Sequence, residues 1–127
     1  MRADCHMHTY FSGDSEAKPE DMVLAAIDKG LEAICFTDHE DIDYFCDDIE
    51  FVFDPETYFK ELGVLKEKYK EKLDIRIGVE FGLQPHLAKK AKAFTAANPY
   101  DFVIGSMHVV GGKDPYYPEF FEGISDE

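Results

Sequence analysis

The sequence has no apolar run approaching the ~20 residues that cross a bilayer, so nothing in its 127 residues predicts a membrane-spanning helix. It also lacks the apolar stretch of a secretory leader, because Arg2 is followed at once by a strand-like segment carrying two histidines. Cysteine is scarce and odd in number. Cys5, Cys35 and Cys46 show no CxxC spacing, which argues against a disulfide scaffold and for a reducing, cytoplasmic setting. Basic residues are outnumbered, 13 against 27 acidic, for a net charge of −14. A surface of that sign repels nucleic acid and anionic membranes at long range, so neither is expected as a partner. No low-complexity tract, linker or literal repeat interrupts the chain.

What is present reads as a single folded domain over 1–127, 45% hydrophobic with 7 tyrosines and 11 phenylalanines, long enough for a core. Residues 2–8 predict a short strand ending in histidines. Residues 19–30 predict a helix, with Pro19 in its first turn, acids following and Gly30 closing it. Residues 31–39 are apolar, partly β-branched and aromatic, and predict a buried strand; an acidic loop follows over 40–54. Apolar spacing at 58, 59, 62, 65 and 69 predicts a helix over 55–72. Then come a strand over 74–82, a helix over 85–97, a strand over 101–110 and a loop-like tail, 111–127. Strands alternating with helices predict an α/β fold with a parallel sheet. A full eight-unit α/β barrel takes ~250 residues, so about four β/α units are expected here.

Each predicted strand ends in a candidate metal ligand. Asp4, His6 and His8 are spaced by two, and residues two apart on a strand share a face. His6 and His8 can therefore grip one ion, with Asp4 orienting them from behind. The second strand ends Thr37-Asp38-His39, the third Gly78-Val79-Glu80 and the fourth Ser106-Met107-His108. Ile75, Ile77 and Val79 share one face of the third strand, and Glu80 takes the other. A lone strand-end histidine is more often a surface or capping residue than a ligand. The conjunction of four histidines and a glutamate at one edge of a parallel sheet, where α/β folds concentrate function, points instead to a metal site. Imidazole mixed with carboxylate suits Zn, Mn or Fe better than Mg or Ca. Glu80 is the natural bridge between two ions, which would hold a hydroxide and clamp the oxygens of an in-line displacement at a phosphate ester. His86, after Pro85, reads as a surface or capping residue. Asp14 reads equally as ligand or Asx turn. Tyr10, Tyr116 and Tyr117 read as packing.

The ordered set Asp4-Cys5-His6-Met7-His8-Thr9, Thr37-Asp38-His39, Gly78-Val79-Glu80 and Ser106-Met107-His108 resembles the successive motifs of the PHP (polymerase and histidinol phosphatase) superfamily. The Ser12-Gly13-Asp14 that follows the first motif and the stretch 105–117 are most similar to its histidinol-phosphate phosphatase branch. The resemblance implies a distorted (β/α)7 TIM-like barrel, of which this chain would be the N-terminal part, holding two to three divalent ions (Zn, Mn or Fe). By that resemblance His6 and His8 would bind the first metal, Glu80 would bridge it to a second bound by His108, and His39 with Asp14 would bind a third. A metal-bound hydroxide held by Glu80, His6, His8 and His108 would attack phosphorus, cleaving L-histidinol phosphate late in histidine biosynthesis; Asp4 and Asp38 would support the ligands from behind. The family's later ligands have no counterpart after His108. The chain is accordingly expected to lack the C-terminal half, to hold metal weakly, and to self-associate through open sheet edges. A nuclease of the same superfamily, or a non-catalytic metal-binding module, are the competing readings. Surface charge discriminates against the nuclease, and metal stoichiometry with activity against the module.

Overall fold

The computed structural model describes residues 1–46 and 48–123; the end of the predicted tail, 124–127, lies outside the described residues. Five strands and three helices run in the order β1 (Ala3–Met7), α1 (Pro19–Asp28), β2 (Ala33–Phe36), β3 (His39–Glu40), α2 (Pro55–Tyr69), β4 (Asp74–Gly82), α3 (Ala88–Ala97) and β5 (Phe102–Ser106), with short 3-10 turns at Pro85–Leu87 and Pro118–Phe121.

Every pairing between strands is parallel: β1 with β2, β2 and β3 with β4, and β4 with β5. Ala33 faces Asp74 and His39 faces Glu80, so β3 continues the line of β2 at unchanged register. The sheet therefore has four strand lines, as expected of the opening part of a parallel α/β barrel. The predicted second strand is one line broken at Thr37-Asp38. The break has a local cause: Asp38 is fully buried and its carboxylate accepts from Thr9 N–H at 2.5 Å and from Ser12 Oγ at 3.0 Å. The predicted fourth strand is shorter than expected, ending at Ser106, because its partner β4 ends at Gly82, the residue opposite it. The third helix opens as a 3-10 turn from Pro85 to Leu87.

Helix α1 starts at Pro19, whose fixed φ suits the first turn. It stops where Gly30 takes φ +69°, its N–H bonding Ile27 O while Leu31 N–H bonds Ala26 O. This paired closure needs a left-handed residue, which glycine adopts without steric cost. Asp54 caps α2, accepting from Thr57 N–H at 2.9 Å, and Tyr58, Leu62 and Leu65 form its buried face. These meet Val23 and Ala26 of α1 and Ile34, Phe36, Ile75 and Ile77 of the sheet in one core. Each fully buried aliphatic side chain contributes about 1.5–3 kcal/mol. Tyr58 also ties the core to the site edge, its hydroxyl donating to Gly78 O at 3.1 Å and accepting from Asp38 N–H at 3.4 Å. Helix α3 buries none of its side chains.

Candidate metal centre

The candidate ligands sit at or just past the carboxyl ends of these strands. His6 lies in β1 and His8 follows its last residue. Their Nε2 atoms reach one oxygen of Glu80, at 2.8 and 3.0 Å, and stand 3.1 Å from each other. Glu80 is buried at 4% exposure, with Ile75 and Ile77 on the opposite face of β4 packing in the core with the helices. Its second oxygen accepts from Ser106 Oγ at 2.6 Å and lies 3.1 Å from His108 Nε2. His39 stands in register with Glu80. Its Nε2 lies 3.4 Å from Asp14 Oδ2, which is also 3.3 Å from His8 Nδ1. Among the described residues, donor atoms thus gather in three groups, each within 4.8 Å: His6, His8 and Glu80; His8, Asp14 and His39; and His39, Glu80 and His108.

One participant is absent from the sequence pattern. Asp41 falls in the stretch read as an acidic loop, yet it is buried, and both its oxygens lie 2.9 Å from His108 Nδ1. Asp41 Oδ2 is also 3.1 Å from His39 Nδ1. By holding Nδ1 of His108, the carboxylate fixes that ring's tautomer and turns Nε2 towards Glu80. The signal was available: Asp41 follows His39 by two, the spacing that pairs His6 with His8. A Cβ at position 82 would overlap the Asp41 carboxylate, so Gly82 gives it room.

The supporting acids act through the backbone. Asp4 Oδ1 accepts from His6 N–H at 3.1 Å. Asp38 holds Ser12, whose hydroxyl accepts from His39 N–H at 2.9 Å. His86 is apart from the cluster, its Nε2 3.0 Å from Asp43 Oδ2 on the surface.

Electrostatics follow from this crowding. Burial pushes the Glu80 carboxyl upward, but the hydrogen bonds from His108, His8, Ser106 and His6 outweigh it and hold it well below the usual range. Hydrogen bonds to Asp41 and then Glu80 push His108 up to about 10. The Glu80 bond raises His8 against the opposing effect of burial. Burial, with help from the nearby Asp41 charge and against the hydrogen bond from Phe53 N–H, pushes Glu40 up to about 7.

The donor set fits divalent metal. His39 Nδ1 is buried, and its 3.1 Å approach to Asp41 Oδ2 is not aligned as a hydrogen bond, which leaves its bonding capacity incompletely used. Two imidazole nitrogens sharing one carboxylate oxygen at 3.1 Å from each other likewise suit neutral rings directed at a cation. Beside the cluster opens a cavity of about 440 Å³ lined by Asp14, His39, Asp41, Tyr44, Phe51, His108, Asp114, Tyr116 and Tyr117. Tyr116 and Tyr117, expected to be packing residues, stand in its wall. Tyr44 OH donates to Asp114 Oδ2 at 2.7 Å. Tyr10 instead bonds Glu61 on the outer surface.

Comparison with known proteins supplies the context. The model of the PHP domain family matches residues 4–126. A histidinol-phosphatase of Lactococcus lactis subsp. lactis is 37% identical over 115 residues, 91% of this chain. The crystal structure of the histidinol phosphate phosphatase of that organism, complexed with zinc, L-histidinol and phosphate, superposes with a TM-score of 0.82 at 38% identity over 87% of this chain. A crystal structure from Listeria monocytogenes, at 23% identity and TM-score 0.77, shares the fold. The chain spans 42% of the Lactococcus sequence and 41% of the corresponding crystallised chain.

Proposed function

The chain belongs to the PHP domain family, and from that membership we propose that it carries metal-binding machinery of a phosphomonoesterase that cleaves L-histidinol phosphate to L-histidinol and phosphate in histidine biosynthesis. The observation that carries this reading is the convergence of four histidines on the buried Glu80 at one sheet edge. The likeness to a phosphatase complexed with zinc, L-histidinol and phosphate supports the choice of substrate. Residues 1–127 are taken as one PHP-type unit of four strand lines.

In this reading His6, His8 and Glu80 would hold one ion, Glu80 and His108 a second, and His39 with Asp14 a third, each Zn, Mn or Fe. Bound divalent ions supply Lewis acidity, activating water and offsetting the charge of the phosphoryl oxygens. The chain's residues do the rest. Asp41 keeps the His108 ring turned, Ser106 steadies one Glu80 oxygen, and the tyrosine-lined cavity receives the organic part of the ester. The protein's net charge of −14 opposes the approach of a phosphate, which bound ions would offset locally. That same charge supports a small phosphorylated substrate over nucleic acid.

Two further parts belong to this reading. A cytoplasmic setting is supported by the odd cysteine count and the lack of CxxC spacing; among the described residues, no helix is long and apolar enough to cross a membrane. Self-association is supported by the unpaired outer edges of β1 and β5.

The test is phosphate release from L-histidinol phosphate by the zinc- or manganese-loaded chain beside its Glu80→Gln variant. Release abolished by the substitution supports the phosphatase. Metal bound without any release would favour the non-catalytic module.

A further inference from the structure

Tyr58 is wholly buried on α2, yet it carries a hydroxyl. A phenylalanine would fill the same core, and a buried hydroxyl is costly unless it is hydrogen-bonded. Its two bonds go to backbone groups of different strand lines. It donates to Gly78 O at 3.1 Å and accepts from Asp38 N–H at 3.4 Å.

Those two groups are partners in a parallel ladder. β2 and β3 pair with β4 at one offset, Phe36 facing Ile77 and His39 facing Glu80, so Asp38 stands opposite Val79. In a parallel pair such a residue bonds both neighbours of the one it faces. Its carbonyl accepts from the N–H one place on, and its N–H donates to the carbonyl one place back. The first bond is present, from Glu80 N–H to Asp38 O at 3.0 Å. In place of the second stands the Tyr58 hydroxyl, bridging Asp38 N–H and Gly78 O.

We propose that Tyr58 is a positioning residue of the metal centre, its hydroxyl interposed in the sheet ladder to set the spacing at which His39 and Glu80 present their donor atoms. The proposal rests on the metal-binding reading above. Asp38 directly precedes His39, and Gly78 comes two places before Glu80, so the opened rung lies just ahead of both ligands. A direct bond closes the rung on one side of Asp38 and a two-bond bridge holds it open on the other, which fixes the angle of β3 against β4. The Asp38 carboxylate anchors the turned chain to Thr9 and Ser12, and the hydroxyl fills the gap that this turn leaves in the ladder. The tyrosine ring is itself held. Phe11 packs at right angles to it, with centroids 5.1 Å apart, and Phe53 lies at 4.3 Å. Phe11 belongs to the loop that carries Asp14. One core side chain thus touches the segments bearing Asp14, His39 and Glu80 and ties their positions together.

Cobalt(II), whose visible absorption reports the geometry of its ligands, is titrated into the unaltered chain and two variants. Tyr58→Phe keeps the ring and removes the bridge. Leu65→Ala thins the same core further along α2 and leaves the ladder untouched. Circular dichroism checks the fold of each. Tyr58→Phe is expected to bind cobalt about tenfold more weakly, with a changed absorption band. Leu65→Ala is expected to match the unaltered chain in both. Unchanged affinity and spectrum in Tyr58→Phe overturn the proposal, and so does an equal loss in Leu65→Ala, which would mark general loosening of the core. An unaltered chain that binds no cobalt overturns the metal-binding reading itself. Should Tyr58→Phe fail to fold, scalar couplings across hydrogen bonds in the unaltered chain decide by nuclear magnetic resonance. A coupling from Glu80 N to the Asp38 carbonyl with none from Asp38 N to the Gly78 carbonyl supports the interposed hydroxyl. A coupling across that second rung shows the ladder closed and overturns the proposal.

Discussion

At the scale of single residues, His108 is held towards its protonated form by the carboxylates of Asp41 and Glu80. The folded pKa of His108, pushed up to about 10 by Asp41 and then Glu80, lies above its unfolded value of about 6.5. Its contribution to the stability of the ion-free chain is therefore complete below about pH 6.5 and lost as pH rises through about 10. Ligation needs neutral rings, so metal must displace protons. Apparent zinc affinity is expected to rise from about pH 6 to about pH 9, with proton release seen by calorimetry in buffers of different ionisation enthalpy. Affinity flat across that range would contradict this account of the ligands. Asp41 belongs to the same scale. Asp41→Asn leaves the volume unchanged but loses control of the His108 ring, and is expected to weaken metal binding about 10–100-fold. Gly82→Ala should act alike, because the new Cβ displaces the same carboxylate, and the two losses should fail to add. The period of two made His6 and His8 legible in the sequence. The same period holds between His39 and Asp41, but the run of acids that follows hid it, since a solvated acidic loop looks identical until burial is known.

At the scale of elements, α2 is the beam on which the site edge rests. Leu62 is fully buried between the helices and the sheet, whereas Val64 of the same helix is 63% exposed. Leu62→Ala is expected to cost about 3 kcal/mol, within the usual range for such cavities, and Val64→Ala to cost little. Thermal or denaturant unfolding of the two variants measures this; equal losses would mean the described face is wrong. Periodicity made the helices legible to within a few residues, because capping residues and buried spacing act locally. The strands were less legible at their ends. Asp38 looked like part of a strand and instead breaks one, because its side chain takes the Thr9 N–H rather than leaving the ladder intact. Residues 107–110 continue the apolar run of β5, yet pairing ends at Ser106 because the partner strand stops at Gly82.

At the scale of the whole molecule, four parallel lines gather ligands that lie far apart in sequence, from His6 to His108, at one rim. That topology was legible from alternating strands and helices, and the ligand set from what ends each strand. The wall formed by Tyr116 and Tyr117 was not legible, because loop aromatics carry no periodicity to show which way they turn. The central claim is that this rim holds divalent metal through Glu80 and its histidines. Elemental analysis of the purified chain after gel filtration, beside Glu80→Gln with its fold checked by circular dichroism, tests it most directly. The account predicts at least one Zn, Mn or Fe ion per unaltered chain and a clear loss in the variant. An unaltered chain that retains no metal after loading, or a folded Glu80→Gln variant that retains as much, would contradict it.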